Sequence, residues 1–465
     1  MVFWGKTLNS IQRMAQVKNF LTVEKKINGG PYTNSEFYTV WFTGWGGKLL
    51  DLGWGAPGFT QNTSFSLNNV IENTVNSMAD MYKMNASFSF YMIHGGTNFG
   101  FWSGDESTGP VITSYDYSAP ISEAGQITPL YLAIRNFIKN LTNWPNPPLE
   151  VPQNHTAVAI DNVKTVRVGS LITVVQNSLN KDHCKQSETP LSFEVLDNQY
   201  DLVLYSSVLP KVVDGSHLML TIPDLHDYAY VFVDDVYQGH LAIDQEYTHA
   251  FARLTLPLKN GTTGSKLDIL VENHGRRTFE TINDYKGILS NVTVNKQLIT
   301  NWMQCGVNPS KLYSKAKEMW SQKTAVVEDG SPAVYVGTFE SDVAWDDYHT
   351  FFDARKWNKG FVIVNNFNLG RYWTSMGPQM TLYAPGAIFQ KHQNTIVVVE
   401  LVGQTSSSTQ QQPPSINFLK EPSYEKKQIP SKKQMASSSS SLFVQIPIII
   451  ELTGYLLFFA WRLLL

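Results

Sequence analysis

The residues best suited to chemistry lie in the segment Pro31 to Trp41, PYTNSEFYTVW, which places one carboxylate, Glu36, near the end of a strand-like run. The aromatic residues around it in sequence are Tyr32, Phe37, Tyr38, Trp41, Trp45 and Trp54. Flat apolar rings with polar edges can hold a pyranose ring while carboxylates act on the glycosidic bond. We therefore interpret Glu36 as a candidate nucleophile. The alternative is a solvated glutamate on a loop that follows a strand.

Further motifs follow Glu36 in order: YMIHGGTNFGFW (Tyr91 to Trp102), TSYDYSAPISEAG (Thr113 to Gly125), VENHGR (Val271 to Arg276), INDYKG (Ile282 to Gly287), FNLGRYW (Phe367 to Trp373) and GPQMTLYAP (Gly377 to Pro385). Together with Asn34 to Thr39 they resemble the glycoside hydrolase family that includes lysosomal acid β-galactosidase. The nucleophile motif of that family reads N-S-E-F-Y-T-G-W. The resemblance extends over roughly residues 30 to 401.

This resemblance implies a retaining β-galactosidase that forms a glycosyl-enzyme on Glu36 and releases terminal β-linked galactose from galactose-terminated glycans. It also implies that Tyr38, Tyr91 and Tyr117 contact the galactose. Asp116 and Glu123 lie in a matched loop, and we interpret them as structural. No cofactor and no metal ion are expected.

The chain departs from the family pattern directly after Glu36. The run VWFTGWGGKLLDLGWGAP, Val40 to Pro57, matches only if several residues are inserted. The acid/base glutamate of the family lies in an earlier N-E motif that we do not find here, so we expect an N-terminally incomplete chain with little activity. The alternative function is a non-catalytic carbohydrate-binding or scaffold protein.

Composition sets the broad class. The 465 residues are 43% hydrophobic and 12% aromatic, as expected for a globular protein of two or three domains. A net charge of -3 without basic blocks argues against nucleic acid as a partner. The two cysteines, Cys184 and Cys305, have no metal-binding spacing, and whether they pair is left open.

The compartment is indicated by N-x-S/T tripeptides at Asn62, Asn85, Asn140, Asn154, Asn260 and Asn291. Such sites favour a secretory route, which for this family ends in the lysosome or vacuole. The first thirty residues contain no apolar run long enough for a signal peptide.

The N-terminal part has the pattern of alternating strands and helices. Ser64 or Ser66 is a candidate N-cap for an amphipathic helix that begins near Leu67, and Ala86 to Ile93 alternates as a strand does. A second helix is predicted over Pro129 to Asn140, and another over residues 8 to 26. We predict that residues 1–144 form the C-terminal part of a (β/α)8 TIM barrel, with Glu36, Tyr38 and Tyr91 at strand ends.

The rest of the chain is predicted to be all-β, so the fold class is α/β plus all-β. A Pro-rich linker is expected over 145–179, a galactose-binding-like β-sandwich over 180–300 and a second over 301–403, both jelly-roll-like. Two stretches look like copies of one unit, Tyr230 to Leu241 and Phe361 to Trp373. Packing against the barrel is the expected role of both sandwiches, with sugar binding as the alternative.

The C-terminal region changes character twice. Residues 404–441 are rich in Ser, Gln and Pro and are predicted to be disordered. Residues 442–465 form a hydrophobic tail, which we interpret as a membrane anchor, with a removable anchor signal and a gene-model error as alternatives. A homodimer is left open.

Overall fold

The computed structural model describes residues 3–6, 32–47, 66–106, 109–141, 145–146, 148–198, 202–211, 217–244, 251–277, 283–323, 330–403 and 413–424. The predicted helix over 8 to 26 and the hydrophobic tail lie outside these residues. No helix within the described residues is long and apolar enough to cross a membrane.

The N-terminal layer is a parallel sheet in the order β1 (Phe3–Lys6), β2 (Thr33–Tyr38) and β3 (Ser87–Phe90). Helix α1 (Leu67–Lys83) joins β2 to β3, and helix α2 (Pro129–Lys139) follows. A two-stranded ribbon, β4 (Asp105–Glu106) and β5 (Gly109–Pro110), lies between them. This layer is mixed α/β as predicted, whereas β1 was not predicted and closure into a barrel remains a prediction.

The two helices begin where the sequence signals them. The Ser66 hydroxyl accepts from the Asn69 backbone N–H at the start of α1, and the Thr128 hydroxyl accepts from Tyr131 at the start of α2. Their apolar faces pack on the sheet in a core that includes Phe37, Phe42, Val70, Met78, Leu130 and Ile134. The two helices thereby cover one face of the parallel sheet.

The segment predicted as a linker differs from the expectation. From Thr156 onward it forms β6 (Thr156–Ala157), β7 (Ile160–Val163), β8 (Thr165–Ser170) and helix α3 (Leu171–Ser178). β8 pairs with a strand that begins at Ala333, far along the chain. The prolines before residue 154 suggested a longer linker than exists. The strands that follow were not recognised because their pairing partners, such as the strand that begins at Ala333, are distant in sequence.

The first β-rich unit contains a seven-stranded sheet in the order β15-β14-β13-β17-β10-β21-β9 and a four-stranded sheet in the order β16-β11-β19-β20. A further pair is β12 with β18. The bounds are β9 (Lys185–Ser187), β10 (Leu202–Val208), β11 (Leu218–Thr221), β12 (Leu225–His226), β13 (Tyr228–Val233), β14 (Val236–Asp244), β15 (Phe251–Arg253), β16 (Thr255–Leu258), β17 (Lys266–Glu272), β18 (Gly287–Ile288), β19 (Thr293–Val294), β20 (Gln297–Leu298) and β21 (Trp302–Gly306).

The unit therefore continues through β21, past the boundary predicted at residue 300. A disulfide joins Cys184 to Cys305 across 121 residues and ties the edge of the seven-stranded sheet together. Helix α4 (Pro309–Ser321) then leads out of the unit, with the Asn308 side chain capping its N-terminus.

The second β-rich unit adds the strands β22 (Ala333–Ser341), β23 (Tyr348–Asp353), β24 (Lys359–Val364), β25 (Phe367–Trp373), β26 (Thr381–Pro385), β27 (His392–Glu400) and β28 (Ile416–Leu419). One sheet has the order β25-β24-β27-β22-β8 and another the order β26-β23-β28-β7, with β6 beside β23. β28 lies inside 404–441, the range predicted to be disordered. Its alternating Ile416 and Phe418 are buried, which the surrounding polar repeats obscured.

The two predicted copies form equivalent hairpins. The β13–β14 turn has Asp234 and Asp235 at φ 48° and 63°, and the β24–β25 turn has Asn365 and Asn366 at φ 48° and 71°. Positive φ at both central residues is typical of a type I′ hairpin. Each hairpin then shows a register shift, and its inner strand pairs with the next long strand, β17 or β27. The repeat predicted from sequence is confirmed, whereas the jelly-roll topology remains a prediction.

The two large sheets share a core. β13 and β24 are buried along their whole length because one face packs inside its own unit and the other faces the second large sheet. Leu204, Tyr230, Val336 and Phe361 meet in this shared core, together with residues of α3 and α4. The β units therefore form a continuous support next to the α/β layer.

Candidate active site

Glu36 lies on β2, two residues before the strand ends at Tyr38. Side chains two residues apart share one face of a strand, and the Tyr38 hydroxyl donates a hydrogen bond of 2.9 Å to Glu36 Oε2. The Glu36 backbone N–H donates to the side-chain carbonyl of Asn34 over 3.3 Å. Both the carboxylate and its backbone are thereby held, while the Glu36 side chain stays partly exposed.

Tyr38 is the centre of an aromatic cluster at the C-terminal end of the parallel strands. Its ring centroid lies 4.9 Å from that of Tyr91, which directly follows β3, and 5.0 Å from that of Trp41. Burial, and then the hydrogen bond to Glu36, raises the pKa of Tyr38. The hydroxyl therefore keeps its proton and acts as a donor to the carboxylate.

Tyr117 joins this cluster through Tyr115. Their ring centroids are 5.1 Å apart in an edge-to-face arrangement, and burial raises the pKa of each hydroxyl. The Tyr117 hydroxyl is enclosed by protein. The structure thus brings Glu36, Tyr38 and Tyr91 together and places Tyr117 behind them, so a direct contact between Tyr117 and a sugar remains a prediction.

Two loops carry these tyrosines and approach each other closely. A Cβ atom added at Gly95 would lie 1.8 Å from the carbonyl oxygen of Tyr115. Only a residue without a side chain fits at this contact. Gly95, which lies in the motif Tyr91 to Trp102, is therefore needed for loop packing and brings Tyr91 and Tyr115 near one another.

The second β unit packs directly behind the site. The Thr113 hydroxyl donates to the Arg371 carbonyl over 2.6 Å, and the Ser114 backbone N–H donates to Gln379 Oε1 over 3.0 Å. These contacts agree with the expectation that the β units pack against the α/β layer, which was predicted to be part of a barrel. Trp45 also faces this unit, with its ring centroid 6.3 Å from that of Trp373.

Some residues near the site were missed or misjudged from sequence. Tyr115 received no role, although it bridges Tyr117 and the Phe42 ring, which lies 5.7 Å from its own. Trp41 proves to be the indole beside Tyr38, whereas Trp45 packs elsewhere and Trp54 lies outside the described residues. The available signal was the spacing, since Trp41 follows Tyr38 by three residues, as tryptophan does in the N-S-E-F-Y-T-G-W pattern.

The arrangement suits attack by a carboxylate on a ring held by aromatic side chains. Glu36 supplies the carboxylate, Tyr38 a proton donor beside it, and the rings of Tyr91 and Trp41 flat apolar surface. Within the described part of the chain, no group of three or more His, Cys, Asp or Glu residues is placed to hold a metal ion.

Comparison with known families gives three consecutive matches. "Glycosyl hydrolases family 35" matches residues 5–141, "Beta-galactosidase, first all-beta domain" matches 190–308, and "Beta-galactosidase, galactose-binding domain" matches 332–394. The first match begins ahead of the residues that carry the resemblance in sequence, at the end of β1.

Similar full proteins were also found. The chain is 34% identical over 412 residues to "Beta-galactosidase" of Macaca fascicularis, covering 84% of this chain and 56% of that protein. It is 33% identical over 422 residues to "Beta-galactosidase" of Homo sapiens, covering 87% and 58%. It is 33% identical over 407 residues to "Beta-galactosidase 17" of Arabidopsis thaliana, covering 82% and 55%.

These matches place the chain among the glycoside hydrolases. Within that class it belongs to glycosyl hydrolases family 35. The chain spans just over half the length of the relatives it matches.

Proposed function

We propose that this chain carries the nucleophile side of a retaining β-galactosidase site, which hydrolyses terminal non-reducing β-D-galactose residues. The observation that carries the proposal is the hydrogen bond from Tyr38 to Glu36 within the tyrosine cluster, in a region that matches family 35. Glu36 attacks the anomeric carbon and forms the glycosyl-enzyme while the bond from that carbon to the aglycone oxygen breaks, the aglycone leaves with a proton, and water then hydrolyses the glycosyl-enzyme. The Tyr38 hydroxyl orients the carboxylate before attack.

The sugar is proposed to lie against Tyr38 and Tyr91, with Tyr117 behind them. A retaining mechanism needs a second carboxyl group about 5 to 5.5 Å from the nucleophile, which protonates the leaving group and then activates water. We assign no residue to that role. Galactose-terminated glycans are the proposed substrates, in keeping with the names of the relatives.

Covalent trapping with a 2-deoxy-2-fluoro-β-galactosyl fluoride tests the nucleophile. Fluoride departs without a proton from a general acid, so labelling does not depend on the acid/base residue. We expect a mass increase of one sugar on the peptide that contains Glu36, and none in Glu36→Gln. Glu72→Gln, on the exposed face of α1, is the matched control and should label normally.

The rival function is a non-catalytic carbohydrate-binding protein, favoured by the match of residues 332–394 to a galactose-binding domain. That function predicts galactose binding without any adduct on Glu36. Labelling of Glu36→Gln at the wild-type rate would also remove the nucleophile assignment.

We also propose a secretory route that ends in a lysosome or vacuole. The disulfide between Cys184 and Cys305 supports an oxidising compartment. Five of the N-x-S/T asparagines lie in the described residues and all five are exposed: Asn85, Asn140, Asn154, Asn260 and Asn291. A mass shift on treatment of the native protein with an N-glycan amidase is expected, and an unshifted mass would count against this route.

A further inference from the structure

Two loops present the tyrosines of the site, and backbone hydrogen bonds join them. The first, residues 91–98, begins with Tyr91, and the second, residues 113–118, contains Tyr115 and Tyr117. Asn98 N–H donates to the Thr113 carbonyl over 2.8 Å, and Tyr115 N–H donates to the Gly96 carbonyl over 2.9 Å. A side chain that holds both loops in place therefore also holds Tyr91, Tyr115 and Tyr117 in place.

The buried side chain of Glu123 links these two loops. Its side chain is 6% exposed, and each of its carboxyl oxygens is bonded to a different loop. The Thr97 hydroxyl is 2.6 Å from Oε1, and the Ser114 hydroxyl is 2.9 Å from Oε2. Ser114 also accepts from the Tyr424 hydroxyl over 3.2 Å, which connects the network to the chain after β28.

The second loop contains a strained turn that depends on the same network. Tyr117 and Ser118 have φ of 30° and 58°, a left-handed backbone conformation that residues other than glycine rarely adopt. Asp116 holds this turn, because Ser118 N–H donates to Asp116 Oδ1 over 3.0 Å. The backbone N–H of Glu123 donates to the other oxygen of Asp116. Glu123 is thus connected to the turn at Tyr117 in two ways, through its own backbone N–H bonded to Asp116 and through its carboxyl group bonded to Ser114.

The surroundings of Glu123 favour its uncharged form. No ion pair among the described residues includes Glu123 or Asp116. Glu123 and Asp116 face each other, and the other titratable groups around them are Tyr383, Tyr424 and His94. A ring nitrogen of His94 lies 3.4 Å from the Glu123 carbonyl oxygen. Burial, and to a lesser extent the charge of Asp116, raises the pKa of Glu123 to about 8, although Thr97 and Ser114 oppose the shift.

We propose that Glu123 is a positioning residue, whose uncharged carboxyl group locks the two tyrosine loops together and whose ionisation loosens them. The Thr97 and Ser114 hydroxyls both donate to its oxygens, and as a carboxylic acid it holds the two loops without bringing a net charge into the protein interior. As a carboxylate it is a buried charge facing Asp116 without a cation. That Glu123 thereby shapes a galactose site rests on the function proposed above.

The sign of the pH dependence follows from the pKa. The carboxyl of Glu123 has its ordinary pKa near 4.5 when the chain is unfolded and about 8 in the fold. Below both values the locked state is fully favoured, and it loses stability as the pH rises from the lower value through the higher one. The loops should therefore be tightest in acid.

The test measures loop order and sugar affinity separately. Hydrogen exchange of the peptides that cover residues 91–98 and 113–123 is followed from pH 5 to pH 9, as protection relative to the unstructured rate. Three proteins are compared: wild type, Glu123→Gln and Glu123→Ala. Glu400→Gln is the matched control, because Glu400 is a fully buried carboxyl group of the second β unit, bonded to Tyr372 and to the backbone N–H of Lys359.

Wild-type protection in both loops should fall at least tenfold between pH 6 and pH 9, and the change should be the same in Glu400→Gln. Glu123→Gln, whose amide copies one donor and one acceptor, should stay protected across the range. Glu123→Ala should be unprotected at every pH, and its KM for a dinitrophenyl β-galactoside, whose leaving group departs without a proton, should rise about tenfold with a smaller change in kcat, as expected for two lost hydrogen bonds.

A flat wild-type profile, or a Glu123→Gln profile that follows the wild type, would overturn the proposal. If Glu123→Ala does not fold, the comparison of wild type with Glu123→Gln still decides. Loss of loop protection without any galactoside hydrolysis or binding would instead remove the proposed function and leave the positioning role of Glu123 standing.

Discussion

The hydroxyl of Tyr38 and the carboxylate of Glu36 share a hydrogen bond of 2.9 Å on one face of β2. Because the donor is a neutral group whose pKa is raised by burial, it remains protonated wherever the carboxylate is charged. A neutral donor of this kind orients the carboxylate without neutralising its charge.

Tyr38→Phe should therefore lower kcat for a dinitrophenyl β-galactoside, a substrate whose leaving group departs without a proton from a general acid. A hydrogen bond to a charged group contributes about 1.5 to 3 kcal/mol, which corresponds to a loss of roughly 10- to 150-fold. Steady-state kinetics measure the effect, with Tyr82→Phe on the exposed face of α1 as control. Unchanged kcat with a lowered melting temperature would mean that Tyr38 only packs.

Tyr91 and Tyr117 should respond differently to the same substitution. The Tyr91 side chain is partly exposed beside Tyr38, so Tyr91→Phe should weaken galactose binding by about 0.5 to 1.5 kcal/mol. The Tyr117 hydroxyl is enclosed by protein, so Tyr117→Phe should change the melting temperature more than the affinity. Calorimetric titration with galactose and thermal unfolding of both variants make the comparison. Equal losses of affinity would place Tyr117 against the sugar.

A buried charge network joins the two β units, and within it the Glu272 carboxylate pairs with both Lys359 and Arg371. Arg371 Nε lies 3.2 Å from Glu272 Oε1, the Tyr230 hydroxyl donates to Oε2 over 2.7 Å, and Lys359 pairs with Oε2. Burial alone would raise the pKa of Glu272, yet the charges of Lys359, His274 and Arg371 hold it well below its usual value.

Glu272→Gln should consequently destabilise the protein by about 3 to 5 kcal/mol, because two buried cations lose their partner. Urea unfolding measures the change. The control is Glu318→Gln, which removes an exposed i,i+3 pair with Lys315 and should change stability by no more than about 0.5 kcal/mol. Similar values for the two variants would show that the network does not hold the β units together.

The sequence predicted those features whose signals are local. The paired hairpins were recognisable because Asp234-Asp235 and Asn365-Asn366 each follow a short apolar run and precede a second strand-like run. Glu36 stood out because aromatic residues surround it in the sequence, whereas Tyr38 was singled out through the resemblance to the N-S-E-F-Y-T-G-W motif, and the roles of both remain predictions.

The features that were missed depend on partners far along the chain. β8 looked like the end of a linker because its partner begins at Ala333, and β28 was hidden in a polar region although it pairs with β23. Glu123 received only a structural interpretation because its partners, Thr97 and Ser114, come from two loops whose approach cannot be read from local patterns.

Asp105 lies at the contact between the α/β layer and the first β unit, and its protonation should make the stability of the protein depend on pH. It is 3% exposed, and its backbone N–H donates to the Arg276 carbonyl over 2.9 Å. Burial, then the charge of Asp227, raises the pKa of Asp105 from 3.8 to about 7, while Lys286 and Arg277 oppose the shift. Between these two values the unfolded chain releases the proton and the folded chain keeps it, so stability falls as the pH rises and levels off above the higher value.

Asp105→Asn removes this titration without changing the shape of the side chain. The variant should match the wild type near pH 4 and exceed its stability at pH 8 by on the order of 4 kcal/mol. Thermal unfolding of both proteins at the two pH values measures the difference. Asp346→Asn, at an exposed position before β23, is the control and should show no pH-dependent gain. A variant that is less stable than the wild type at pH 8 would show that Asp105 is ionised in the fold and paired with Arg277, whose Nε lies 3.9 Å from its carboxylate.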